Sequence, residues 1–85
     1  MSPNAQNTHT LTSLSKLKRN ERGRVISMAG GEGMRSKMHQ LGIHGAEILR
    51  VAQNPGFGPL VVEVRGTRLI IGRKMADRLW VSRIQ

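Results

Sequence analysis

The sequence has no cysteine and no tyrosine, and only one phenylalanine and one tryptophan. Without cysteine there is neither a disulfide frame nor a thiolate metal site, so the fold stands on packing alone, and the absence suits a reducing cytoplasm. Scarce aromatics also count against readers of single-stranded nucleic acid, which stack bases on exposed rings. Long apolar runs are missing as well. None exceeds three residues, as at Leu69–Ile71, whereas a membrane-spanning helix needs about 20. The opening MSPNAQNTHT lacks the apolar stretch of a signal peptide. The reading is a soluble cytoplasmic chain.

Acidic residues are the other shortage. Five acids stand against fourteen Lys and Arg, for a net charge of +9. Glu21, Glu32, Glu47, Glu63 and Asp77 include no two at a spacing that suggests a catalytic carboxylate pair. No Gly-x-Ser-x-Gly elbow is present. Gly30-Gly31-Glu32-Gly33 resembles a phosphate-cradling loop, but it lacks the Gly-Lys-Ser/Thr ending and a βαβ setting. It reads better as a flexible turn feeding a helix. The expectation is a protein that is not an enzyme and has no small-molecule substrate. The basic charge reads either as a solvated surface that keeps a small protein soluble or as a surface for an anionic partner.

Eighty-five residues make one small domain. Residues 1–10 read as a disordered leader, and 11–85 as a single folded unit. Leu11, Leu14 and Leu17 recur every three residues and suit a short helical or 3₁₀ turn, and Lys18 to Gly23 reads as a polar loop. Strands are expected at 24–28, 47–51, 60–65, 68–71 and 80–84 from β-branched and alternating apolar residues. Two short helices are expected around 34–41, where Met34, Met38 and Leu41 share a stripe, and around 72–79, where Met75, Ala76 and Leu79 do. Gly66-Thr67 fits a two-residue hairpin turn with glycine first.

The stretch Met38-His39-Gln40-Leu41-Gly42-Ile43-His44-Gly45 is a junction. Gly42 is placed to end the first helix in the left-handed conformation, with Ile43 folding back onto Met38 in a Schellman motif. Gly45 lets the chain turn again. Five strands and two helices are too few for a sandwich, and a small barrel hides its edges. The fold class that fits is mainly β: a small SH3-like barrel of about five strands with two short helices, with an OB-like barrel as the alternative.

Candidate functional residues are few. His39 in the last helical turn, His44 beyond the glycine and Glu47 three further on carry donors that suit zinc(II) or iron(II). A histidine at a helix C-terminus is equally a partner of the helix dipole with no metal at all. Met28, Met34, Met38 and Met75 read as core fillers. Trp80 opens a strand after a helix and reads as core. Phe57, isolated in the loop Asn54-Pro55-Gly56-Phe57-Gly58-Pro59, is the better candidate for an exposed contact, and Arg35 and Lys37 lie on the basic helix. A purely electrostatic phosphate binder is the nucleic-acid alternative.

The order of these features resembles the FeoA family, small cytoplasmic proteins associated with bacterial ferrous-iron uptake. The resemblance is carried by Leu11-Thr12-Ser13-Leu14, Gly23-Arg24-Val25-Ile26, Leu41-Gly42-Ile43-His44-Gly45, Gly58-Pro59, Gly66-Thr67-Arg68-Leu69 and Ala76 to Val81. Two positions depart from the family's pattern. His44-Gly45 lacks the proline of Leu-Gly-Ile-x-Pro-Gly, and Ile70 stands where a small residue is common. The resemblance implies an SH3-like barrel without catalysis, no required cofactor, and a partner: the cytoplasmic part of the iron permease FeoB, through which alone the protein would associate with a membrane. It also implies likeness to the C-terminal domain of iron- and manganese-dependent repressors. The expected contact surface is Arg35, Lys37 and Phe57. The alternative function is a metal-binding or metal-sensing protein using His39, His44 and Glu47.

Overall fold

The computed structural model describes residues 11–84, so the expected disordered leader lies outside the described residues. Six strands form one antiparallel sheet: β1 (Leu11–Ser13), β2 (Arg22–Met28), β3 (Ile48–Gln53), β4 (Leu60–Val64), β5 (Thr67–Ile71) and β6 (Leu79–Ile84), in the order β1-β6-β2-β3-β4-β5. Helix α1 (Gly31–Gln40) links β2 to β3, helix α2 (Arg73–Arg78) links β5 to β6, and a 3₁₀ turn at Leu14–Lys16 follows β1. Register shifts between Val25 and Ser27 and between Val51 and Gln53 bend β2 and β3, as bulges do. The expected small, mainly β fold with two short helices is present. Its edge strands are β1 and β5, and no ladder joins them among the described residues.

Alternation along the strands decides which face is buried. Leu60, Val62 and Val64 of β4 point inward while Val61 and Glu63 are half-buried on the other side. Leu49, Val51, Leu60, Val62, Leu79 and Val81 are completely buried or nearly so. The helices close this core with Met38, Met75 and Ala76, and the 3₁₀ turn adds Leu14 and Leu17. Met28 is buried too and Met34 packs against the cluster, so the four methionines act as fillers.

The junction after α1 forms as its glycine predicts. Gly42 is left-handed at φ 84°, its N–H bonds to the His39 carbonyl at 2.9 Å, and the Ile43 N–H reaches back to Met38 at 3.0 Å. Those two bonds define a Schellman end, and Ile43 is fully buried. The next turn differs from expectation. Glu47 N–H bonds to the His44 carbonyl at 3.2 Å, and the left-handed residue inside that turn is Ala46 at φ 70°, not Gly45.

Other differences have simple causes. Leu11–Ser13 pairs with Trp80–Ser82 as a sixth strand, and a three-residue strand leaves no visible alternation. Arg22 and Gly23 belong to β2, not to a loop; a Cβ on Gly23 would lie 2.8 Å from Val81 Cγ2, so this glycine is where β2 and β6 approach closely. The β4–β5 hairpin turns on Arg65-Gly66, both left-handed at φ 51° and 80°, so the glycine is second, as in a type I′ turn. Trp80 is 39% exposed because it sits between the inward-facing Leu79 and Val81.

Candidate interaction surface and histidine pair

Strand direction sorts the candidate residues to two ends of the sheet. At one end lie the β3–β4 loop (54–59), the end of β5 and the start of α2. Phe57 sits at this end, 76% exposed, between Gly56 and Gly58, which are both left-handed. Two left-handed glycines hold the ring outward.

The loop is braced, and Asn54 is the brace. Its amide nitrogen donates to the carbonyls of Ser15 at 3.0 Å and Leu17 at 2.7 Å. Its amide oxygen accepts from the Gly56 N–H at 3.0 Å and from the Arg73 guanidinium at 2.9 Å. Arg73 also donates to the Gly58 carbonyl at 2.9 Å. Both donors and both acceptor positions of Asn54 are thereby used. Sequence reading singled out Phe57 but missed this network; an Asn before Pro in a loop signals a turn, and nothing in the local sequence points to Arg73.

Arg35 and Lys37 are both exposed on α1. Two residues apart, they project about 200° apart around the helix. Lys37 lines a groove of about 360 Å³ with Met34, Leu41, Ile70, Lys74 and Met75. Arg35 does not line it. Ile70 is 69% exposed and pairs with Val61, the second residue of β4 after the Phe57 loop.

The opposite end carries the histidines. His39 Nδ1 and His44 Nδ1 lie 3.2 Å apart, with ring centroids 5.1 Å apart and planes at 55°. The Schellman turn brings two residues on either side of Gly42 into contact. As neutral rings, one Nδ1 donates and the other accepts, according to tautomer. Glu47 is engaged elsewhere: its carboxylate accepts from Arg65 at 3.0 Å. Among the described residues no three His, Asp or Glu side chains converge as a metal cluster.

Acids elsewhere are also held by cations. The outer face of the sheet carries a cross-strand row in which Arg22 faces Arg50, Arg50 faces Glu63 and Glu63 faces Arg68. Glu63 accepts from Arg50 at 2.9 Å and from Arg68 at 3.1 Å. These hydrogen bonds, Arg50's first, hold its carboxyl below the usual carboxylate range. Glu21 caps the Lys18 N–H at 2.7 Å and faces Arg83 at 3.6 Å. Among the described residues no helix is long and apolar enough to cross a membrane.

Comparison with known proteins follows the same lines. The FeoA domain family matches residues 12–83. A crystal structure of an iron uptake regulatory protein, FeoA, superposes with a TM-score of 0.82 at 27% identity, over 87% of this chain and 99% of that one. The solution structure of the FeoA protein from Chlorobium tepidum gives 0.77 at 28% identity, over 87% and 71%. A manganese-dependent transcriptional repressor gives 0.79 at 21% identity, over 87% of this chain but 42% of the repressor, a likeness of fold. No curated protein matches.

Proposed function

The chain belongs to the FeoA family, and from that premise we propose that it is a cytoplasmic accessory protein of ferrous iron transport, a non-catalytic module that docks on the cytoplasmic part of the FeoB permease and regulates it. The observation that carries this reading is the Phe57 loop. An apolar ring held outward by two left-handed glycines and braced from both sides by Asn54 and Arg73 is what a preformed contact requires, because ordering happens on folding and not on binding. Buried aromatic anchors dominate interface energetics, and Phe57 is the most exposed large apolar residue of the described chain. Lys37, in the groove with Ile70, supplies charge for an acidic face on the partner.

The test is an amide NMR titration of the labelled protein with the purified cytoplasmic region of its cognate FeoB. Localised shifts in 54–59 and around Lys37 are expected, and Phe57→Ala should abolish them. Shifts confined to other regions, or unchanged by Phe57→Ala, reject this docking face.

A second reading is favoured by the histidine pair alone. Two nitrogens bound to one tetrahedral ion at about 2.0–2.1 Å are roughly 3.4 Å apart, close to the 3.2 Å between His39 Nδ1 and His44 Nδ1. Two imidazoles with water completing the shell would take iron(II) or zinc(II) as an open site, with Glu47 joining only by leaving Arg65. Titration of zinc(II) into wild type and a His39→Gln, His44→Gln variant decides it; equal affinity in both rejects the site.

A further inference from the structure

Four cations stand at the Phe57 end, and like Lys16, Lys18, Arg22, Arg24, Arg35 and Arg78 none of them is in an ion pair with an acid among the described residues. Among the described residues, the ion pairs involve Arg50, Arg65, Arg68 and Arg83. Arg19, Lys37, Arg73 and Lys74 are in none of them. Arg19 borders a hollow with Gln53, Asn54 and Pro55 at the base of the loop. Arg73 holds Gly58, and Lys37 and Lys74 flank Ile70 in the groove. The same end therefore presents Phe57 and Ile70, the two most exposed large apolar side chains at 76% and 69%, among four uncompensated positive charges. Two acids lie along the helices: Asp77 near the far end of α2 and Glu32 at the start of α1.

We propose that this end of the sheet is a reversible contact with an anionic lipid bilayer, Phe57 and Ile70 entering the headgroup region while Arg19, Lys37, Arg73 and Lys74 face the lipid phosphates. The chemistry suits a bilayer better than nucleic acid. Single-strand binders need successive rings for successive bases, and this end offers one ring. A lipid surface needs apolar tips to enter it and cations around them, each Lys or Arg near an anionic surface strengthening binding roughly fivefold. Apolar insertion plus a basic patch is the two-part combination that gives membrane attachment to proteins without a spanning helix. The braced loop adds that the ring is already out before contact.

The contact goes beyond docking on the permease and uses the same face, so Phe57 and Lys37 meet lipid and permease in turn and not together. It would keep the protein in the plane where a membrane partner sits, raising their encounter frequency, and so adds a direct attachment to the one expected through the partner alone.

The test uses the full chain without any permease, so that its failure leaves the docking proposal standing. The protein is sedimented with vesicles of phosphatidylcholine alone and of phosphatidylcholine mixed with phosphatidylglycerol. Binding only to the mixed vesicles is expected, declining as salt screens the charges. Phe57→Ser should weaken it about tenfold, as expected for removing one large apolar contact. Lys37→Glu with Lys74→Glu should weaken it at least twentyfold. Phe57→Trp in a Trp80→Phe background gives a direct reading, since insertion shifts the indole emission to shorter wavelength, and it serves if Phe57→Ser does not fold. No sedimentation, equal sedimentation with neutral vesicles, an unshifted indole or wild-type binding by the folded variants overturns the proposal. So does preferential binding of a single-stranded oligonucleotide over the mixed vesicles.

Discussion

Arg73 Nη2 donates to Asn54 Oδ1 at 2.9 Å across nineteen positions of sequence, and this one bond ties the start of α2 to the loop that presents Phe57. Because Asn54 also spans to Ser15 and Leu17, a single side chain links the 3₁₀ turn, the β3–β4 loop and α2.

Asn54→Ala removes all four bonds and leaves two part-buried carbonyls without their donor. The expected loss is about 2 kcal/mol, or roughly 10 °C in Tm for a domain of this size. Thermal unfolding measures the first effect. Hydrogen exchange at Gly56, whose N–H bonds to Asn54, should rise more than at β4, and uniform protection across both would mean that Asn54 does not brace the loop.

Gly23→Ala tests the closeness of β2 and β6. An added Cβ would stand 2.8 Å from Val81 Cγ2 and 3.1 Å from Leu17 Cδ1, and both neighbours are fully buried. Overpacking of this kind costs about 1–3 kcal/mol. Val81→Ala should also destabilise, but the pair together should be less harmful than the sum, a coupling that a double-mutant cycle reads directly. Strict additivity would show that the strands part without strain.

Ala46→Gly is expected to stabilise. A left-handed residue with a Cβ costs about 1–2 kcal/mol, and Ala46 has φ 70° at the turn position where glycine is favoured. The greater unfolded-state freedom of glycine offsets about 0.4–1 kcal/mol of that. A net gain of about 0.5–1 kcal/mol should appear in urea unfolding. A loss would place the helix-to-β3 turn in a conformation other than the one described.

Legibility tracked locality. The Schellman end was readable because Gly42, Ile43 and Met38 lie within six residues and each has a separate physical signal. The alternation of β4 was readable for the same reason. Strand β1 was not, because its pairing with Trp80–Ser82 depends on residues nearly seventy positions away. The hairpin turn slipped by one residue: Arg65 gave no sign that it would be left-handed, so glycine alone set the frame. At the site, Phe57 stood out as an apolar residue between glycines, and the nearness of His39 to His44 followed from the capped helix. The neutralisation of Glu47 by Arg65 did not, since it depends on how the hairpin folds over the start of β3.

Glu63 gives a pH prediction. Its carboxyl is held below the usual range by Arg50 and Arg68, so the folded state prefers the charged form. The resulting stabilisation is present above the ordinary carboxylate value and is lost as pH falls through the lower folded-state value. Unfolding midpoints measured from neutral pH downward should fall in the acidic range, and Glu63→Gln should be less stable than wild type at neutral pH and converge with it in acid. Parallel curves would show that the pair of arginines does not hold the carboxylate in solution.

Charge reversal on α1 separates two surfaces that sequence alone joined. Arg35 and Lys37 are both exposed, but only Lys37 shares the groove with Ile70 and Lys74, and the helix turns Arg35 about 200° away. If docking uses the Phe57 end, Lys37→Glu should lower iron(II) uptake in cells lacking the wild-type protein by several-fold, comparable with Phe57→Ala. Arg35→Glu should have the smaller effect. Neither side chain contributes to the core, so both variants should melt within a few degrees of wild type, which circular dichroism verifies before uptake is compared. Equal loss from the two reversals would mean that the whole helix faces the partner, and unchanged uptake in both would move the contact off α1 altogether.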